Sequence, residues 1–272
     1  MDREPDTTAK RLIIHCGVQK TGSTSLHHFL GRNRDALAAH VLALTPAKGS
    51  ATRDLGNAAM RFSLRPTDER LLRLRECAGL VRDAILEQGA ETVLISHENL
   101  LGAMLGNSGT VTLYPRLERI VEVLNRVFAP LVPEYVVYTR DLPQWKRSVH
   151  AQAIRSDRYS GTLVDFLSKT EACGSWAQTE RRLAKLVGAA RSTLFRVEDE
   201  PDEARPGQQL LRYAGVSEAE IAALHPVRGR SKTRINAGGL EFQRLVNQLG
   251  LERPARRAIG ELIAGNQRLF VS

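Results

Sequence analysis

Two kinds of hydrophobic spacing take turns along the chain. Short apolar runs bounded by polar residues recur at "RLIIHC" (11–16), "TVLIS" (92–96), "EYVVYT" (134–139) and "STLFRVED" (192–199). Runs of this length fit strands of a parallel sheet that is covered on both faces. Between them, apolar residues fall three and four apart, the spacing of a helix with one buried face. "STSLHHFLGRNRDALAAH" begins with hydroxyl residues suited to capping, and "DERLLRLRECAGLVRDAILEQG" places Leu71, Leu74, Leu80, Val81 and Ile85 on one face before stopping at Gly89. "YPRLERIVEVLNRVFAP" reads as a helix ending at Pro130, "DLPQWKRSVHAQAI" as one starting near Pro143, and "SWAQTERRLAKLVGAA" as one leading into the fourth strand. Residues 48–67 are turn-rich and read as a loop with helical pieces, and the chain beyond Gln208 reads as mostly helical. The alternation predicts a three-layer α/β fold with a central, mainly parallel β-sheet flanked by helices.

Length and composition narrow this picture. At 272 residues the chain can bury one large core, so a single domain over 1–272 is expected, with 1–10 flexible and 225–239 a mobile basic loop. Hydrophobic residues at 42% and charged residues at 25% exclude a disordered chain. The net charge of +9 admits an anionic partner, although an arginine-rich genome would also produce it. The charges are scattered except around Arg228, Arg230, Lys232 and Arg234, with neither an aromatic-interleaved basic stripe nor zinc-finger spacing. A small anionic ligand therefore ranks above nucleic acid. Cys16, Cys77 and Cys173 form no C-x-x-C pair and read as reduced and buried, with no metal site. No apolar run suits a signal peptide or a membrane span, so the expectation is a cytoplasmic protein. Oligomeric state leaves no mark on the sequence.

Candidate chemistry sits just after three strands, where open α/β sheets bind ligands. The first place is "GVQKTGSTS". Gly17, Gly22 and Thr24 satisfy the phosphate-loop frame G-x-x-x-x-G-K-[ST], but Ser23 stands where lysine belongs and Lys20 has moved into the loop. A Gly turn entering a helix offers backbone N–H groups to an anion, and Thr21, Ser23, Thr24 and Ser25 add donors; the alternative is a plain turn with an N-cap. The second place is "SHENL", where His97 and Glu98 are side chains able to take a proton from a hydroxyl, or where Ser96 or Glu98 merely caps the next segment. The third is "YTRDLPQWKRSVH", with Arg140 at a strand end and Ser148 eight residues on, spaced to converge on a phosphate unless Arg140 is simply a surface residue.

Together these three motifs resemble the sulfotransferases that use 3'-phosphoadenosine 5'-phosphosulfate (PAPS), in particular bacterial and carbohydrate-directed members. The first family motif, P-K-[ST]-G-[ST]-[ST], is matched by Gln19-Lys20-Thr21-Gly22-Ser23-Thr24 with glutamine in place of proline. Arg140 and Ser148 reproduce the arginine and serine of the second motif, although Pro143 comes one position later than usual, and "LISHENL" is similar to the S-x-E form between them. The likeness covers roughly the first 160 residues. It implies a P-loop-like fold in which the stretch from Gln19 to Ser25 binds the 5'-phosphosulfate and Arg140 with Ser148 binds the 3'-phosphate. It also implies that PAPS serves as co-substrate without a metal, and that "RGRSKTRINAGG" could cover the 3'-phosphate, the alternative being a solvated mobile loop. A sulfuryl group carries one charge where a phosphoryl group carries several, so the lone ammonium of Lys20 would suffice against the growing charge on the bridging oxygen. Either His97 or Glu98 would take the proton from a hydroxyl acceptor, a small molecule or a carbohydrate, and PAP would be released. The other readings are a P-loop nucleotide kinase or NTPase with an atypical loop, and a non-catalytic PAP-binding protein of the same fold.

Overall fold

The computed structural model describes residues 10–227 and 235–271. Its elements run β1 (Arg11–His15), α1 (Ser23–Arg32), α2 (Arg34–Leu37), β2 (Leu42–Leu44), α3 (Ala51–Leu64), α4 (Asp68–Leu86), β3 (Thr92–Ser96), α5 (Leu117–Phe128) and β4 (Glu134–Thr139). There follow α6 (Leu142–Ser156), α7 (Leu163–Lys169), α8 (Trp176–Val187), β5 (Ser192–Arg196), α9 (Gln208–Tyr213), α10 (Glu218–Ala223), α11 (Ala237–Val246) and α12 (Arg253–Gly265). They fall into two compact units: 10–103, 114–140 and 176–227 make the first, and 104–113, 141–175 and 235–271 make the second.

The first unit holds the whole sheet, five parallel strands in the order β2-β3-β1-β4-β5. From the middle strand β1 the chain winds out to the β2 edge, returns to β3, then crosses to β4 and β5. The direction of winding thus reverses beside β1, and the carboxyl end of that strand is where such a sheet opens a crevice for ligands. Because side chains alternate along a strand, Ile13, Leu94, Val136 and Tyr138 share one face and pack with Leu26, Phe29 and Leu30 of α1 and with Leu210, Leu211 and Ile221 from α9 and α10. Leu12, Ile14, Val93, Ile95, Tyr135 and Val137 are fully buried on the other face. On that side α3 packs on α4, α4 on α5, α5 on α8, and α8 on β5. Each of these aliphatic side chains stabilises the fold by roughly 1.5–3 kcal/mol through burial, which is why near-continuous apolar strands sit between two helical layers.

The four strands read from the sequence are present within a few residues of their expected ends. Four details differ. Residues 48–67, expected as loop, contain α3, started by the Ser50 hydroxyl, which accepts the Arg53 N–H at 3.2 Å. The short strand β2 had no counterpart in the sequence pattern. Leu80 is 57% exposed, and Cys77 and Ala78 take its place on the buried stripe of α4. The basic loop expected over 225–239 ends sooner, since Ala237 already belongs to α11, where Asn236 caps the helix by accepting the Gly239 N–H. Arg228, Arg230, Lys232 and Arg234 lie outside the described residues. All three cysteines are free and buried. No helix among the described residues is long and apolar enough to cross a membrane.

The second unit is helical. Its centre is an aromatic cluster in which His150, Tyr159 and Phe166 meet at ring-centroid distances of 5.5–5.6 Å. Asn247, at the carboxyl end of α11, donates to the carbonyls of Ile154 and Tyr159 at 2.8 and 2.9 Å, fastening that helix to the end of α6.

Candidate functional site

The loop from Cys16 to Gly22 leaves β1 still paired to its neighbour: Cys16 N–H donates to Val136 and Val18 N–H to Tyr138, both at 2.9 Å. It then turns on two left-handed residues, Lys20 (φ 69°) and Gly22 (φ 90°), and enters α1. No side chain caps this helix, so the hydroxyls expected to do so instead occupy its first turn and the N–H groups of Ser23, Thr24 and Ser25 keep no intrahelical partner. A methyl group built on Gly22 would meet no atom within 4 Å, so the turn opens onto free space. Uncapped donors at the positive end of a helix dipole, facing an open space, form an anion cradle. Thr21 is committed elsewhere, its hydroxyl donating to the Val18 carbonyl at 2.6 Å within the loop.

Gln19 is buried and its amide is engaged on both sides. It donates to Asn99 Oδ1 at 3.0 Å and to the Gly102 carbonyl at 2.9 Å, and it accepts the Tyr114 hydroxyl at 3.0 Å. Gln19 thus anchors the loop to the segment after β3.

That segment separates the two acid/base candidates. His97, 3% exposed, turns toward α3, where a Cβ on Gly56 would fall 2.1 Å from its Nε2. Only glycine at position 56 admits the ring. The Asn99 N–H donates to His97 Nδ1 at 3.2 Å, so that nitrogen is the acceptor and the neutral tautomer protonated on Nε2 is assigned. Burial is the main cause that lowers its pKa, against the opposing pull of Glu98. Glu98 turns the other way. A Cβ on Gly17 (φ 85°) would lie 2.6 Å from Glu98 Cα, so the start of the loop rests directly on the backbone of this acid. Glu98 Oε2 is buried without a hydrogen-bond partner, the 3.6 Å separation from His97 Nδ1 being too long for one.

Sequence reasoning passed over His15 and His27 beside these, and read Ser96 only as a possible cap. His15 and Ser96 are register partners at the ends of β1 and β3, and their side chains share the α1 face of the sheet with Ile13 and Leu94. Ser96 Oγ lies 2.7 Å from His15 Nδ1 and 3.0 Å from Nε2 of His27, one turn into α1. Burial drives both histidines down, His15 to about 3 and His27 to about 4. The signal for His15 and Ser96 was present in strand parity, whereas nothing in the sequence ties His27 to β3. Among the described residues no cluster of three or more His, Cys, Asp or Glu side chains is arranged to hold a metal ion.

Arg140 leaves the carboxyl end of β4, two residues beyond the Tyr138 carbonyl that holds the loop, and its own carbonyl accepts the Trp176 indole N–H at 2.6 Å. Ser148 belongs to the second unit, half-buried on α6, whose first turn is capped by Asp141 accepting the Gln144 N–H at 3.0 Å. Neither a model of a known protein family nor a curated protein matches the chain.

Proposed function

We propose that the protein is a sulfotransferase, which moves a sulfuryl group from PAPS to a hydroxyl acceptor and releases PAP. The observation that carries this reading is the contact of Gly17 with Glu98: an uncapped anion cradle and a carboxylate with an unused oxygen stand back to back at the carboxyl ends of two neighbouring strands. The open space over Gly22 and the free first-turn donors of α1 suit a 5'-phosphosulfate. Bound PAPS supplies a sulfuryl group on a phosphate leaving group.

The chain's own residues divide the remaining work. Ser23, Thr24 and Ser25 hold the phosphosulfate by their backbone and hydroxyl donors. Lys20, set in the left-handed turn, supplies positive charge to the bridging oxygen as its bond to sulfur breaks. Glu98 takes the acceptor's proton, since His97 is turned into α3 and its Nδ1 already accepts the Asn99 N–H. Arg140, emerging from the strand next to β1, is assigned to the 3'-phosphate. The acceptor is a small molecule or a carbohydrate.

Thermal melting with PAP, PAPS and Mg·ATP tests the nucleotide. PAP at about a hundred times its dissociation constant is expected to add about 2.7 kcal/mol of stability. Stabilisation by Mg·ATP with none by PAP would assign the loop to a kinase or NTPase. Incubation of PAPS with a library of hydroxyl acceptors, read by mass spectrometry for one added sulfuryl group, tests the reaction, and PAP binding with no product of any kind would leave a binding protein.

A further inference from the structure

The Gln19 amide has a fixed direction. A carbonyl only accepts, so the contact with Gly102 at 2.9 Å decides which end of the amide carries the hydrogens, and Nε2 is the atom that meets both Gly102 and Asn99. Oε1 is therefore the acceptor, and the Tyr114 hydroxyl donates to it at 3.0 Å. Both residues are buried, so water is a poor substitute for this donor, and burial raises the Tyr114 pKa well above its ordinary value, which keeps the donated hydrogen in place. Tyr114 itself is held under strain. Its φ of 45° puts a bulky residue in the left-handed region, which costs free energy and persists only where the surroundings impose it. The Tyr114 carbonyl accepts the Leu117 N–H at 3.1 Å and Arg182 Nη2 at 2.8 Å, and the same guanidinium pairs with both oxygens of Glu118, at 2.5 and 2.8 Å. Arg182 comes from α8 and Glu118 from α5, so two helices grip the backbone from which this phenol projects. Strain of this kind gathers at ligand clamps and switch regions.

We propose that Tyr114 is a positioning residue for the anion loop: its hydroxyl sets the Gln19 amide, and Gln19 sets the left-handed turn at its neighbour Lys20. That the anion is the phosphosulfate of PAPS rests on the sulfotransferase reading above; that Tyr114 sets the loop does not. The line of contact runs from Glu118 and Arg182 through Tyr114 to Gln19, and continues through Asn99, whose N–H meets His97 Nδ1. All of these residues belong to the first unit. Tyr114 acts through Gln19 rather than on the reactants, and its contribution is to affinity: a loop already held in shape loses less freedom when an anion arrives, so binding is strengthened without an added contact.

Hydrogen exchange in the full chain, with no nucleotide or acceptor present, tests the positioning. Tyr114→Phe keeps the ring and loses only the hydroxyl. In this variant the amides of residues 17–22, among them Val18, whose N–H donates to the Tyr138 carbonyl, are expected to exchange about tenfold faster, while those of Ile13, Ile14 and Leu94 in the sheet keep their rates. Unchanged exchange in the loop overturns the proposal. So does a uniform acceleration that includes the sheet, which would make Tyr114 a structural residue and no more. Calorimetric titration with PAP provides the second arm: in Tyr114→Phe the Kd is expected to rise about tenfold, and the KM for PAPS to rise with it by far more than kcat falls. Gln19→Leu supplies the comparison. Since the hydroxyl acts through the amide, the double variant is expected to bind PAP no more weakly than Gln19→Leu alone, and effects that add in full overturn the proposal. A wild-type chain that binds no PAP would sink the sulfotransferase reading instead, and the exchange measurement would still decide the role of Tyr114.

Discussion

The two ends of the sheet treat charge in opposite ways. At the amino end Arg11 meets both oxygens of Glu134, at 2.7 and 2.8 Å, donates to the Tyr213 carbonyl at 2.9 Å and lies 5.0 Å over the Tyr213 ring. At the carboxyl end His15 and Glu98 each keep a buried polar atom without a partner, and His15, His27 and His97 are held neutral mainly by burial. Polar groups at one end work as staples. At the other, two buried atoms are left unsatisfied, an exception to the rule that buried polar groups are paired and one that native proteins concentrate where a site requires it.

The sharpest way to break this contrast is to neutralise the carboxyl end. Glu98→Gln is expected to lower the transfer rate by about 10²–10⁴-fold, the range of a lost general base, while leaving the melting temperature equal or higher. A marked fall in melting temperature without loss of rate would make Glu98 a staple like Glu134. Lys20→Ala is expected to reduce the rate by about 10²–10³-fold and to weaken the stabilisation by PAP strongly, measured by kinetics and thermal shift together.

Acid separates the two ends differently. His15 and His27 have folded pKa values below the ordinary histidine value, so the unfolded chain takes up protons that the folded chain refuses. Their contribution is fully present above about pH 6.5 and is lost as pH falls toward 4 and then 3, by up to about 1.4 kcal/mol per pH unit for each group. Urea unfolding between pH 7.5 and 4.5 should show this slope, and a flat profile would contradict the buried neutral pair. Glu134 is also lowered, chiefly by its hydrogen bonds with Arg11, so its contribution is lost only at more acid pH, below the ordinary carboxylate range. The smallest effect is expected from Arg11→Ala. The pair is partly exposed, so about 1 kcal/mol or less of stability should disappear in urea unfolding, with PAP binding untouched.

Much of the sheet was legible because its strands are buried on both faces and therefore read as compact apolar runs. β2 was not, since three half-buried residues, Leu42–Leu44, make no pattern long enough to recognise. α3 hid for another reason. Its buried face is built largely from Gly56, Ala58, Ala59 and Ser63, small residues that let His97 and the segment after β3 approach closely but give little hydrophobic contrast. The loop and Glu98 were visible through spacing and position after a strand. The division between His97 and Glu98 was not, because it depends on which helix each side chain meets. The partnership of His27 with Ser96 spans 69 residues and exists only once α1 lies on the sheet.

A last consequence follows from Gln19. A proline at this place would stiffen the turn through its own ring and leave the turn unconnected to anything else. The three bonds of the glutamine amide instead tie the turn to Asn99, Gly102 and Tyr114, on the same stretch of chain as Glu98. Cradle and carboxylate are thereby bolted into one bracket, whose span is fixed before any reactant arrives.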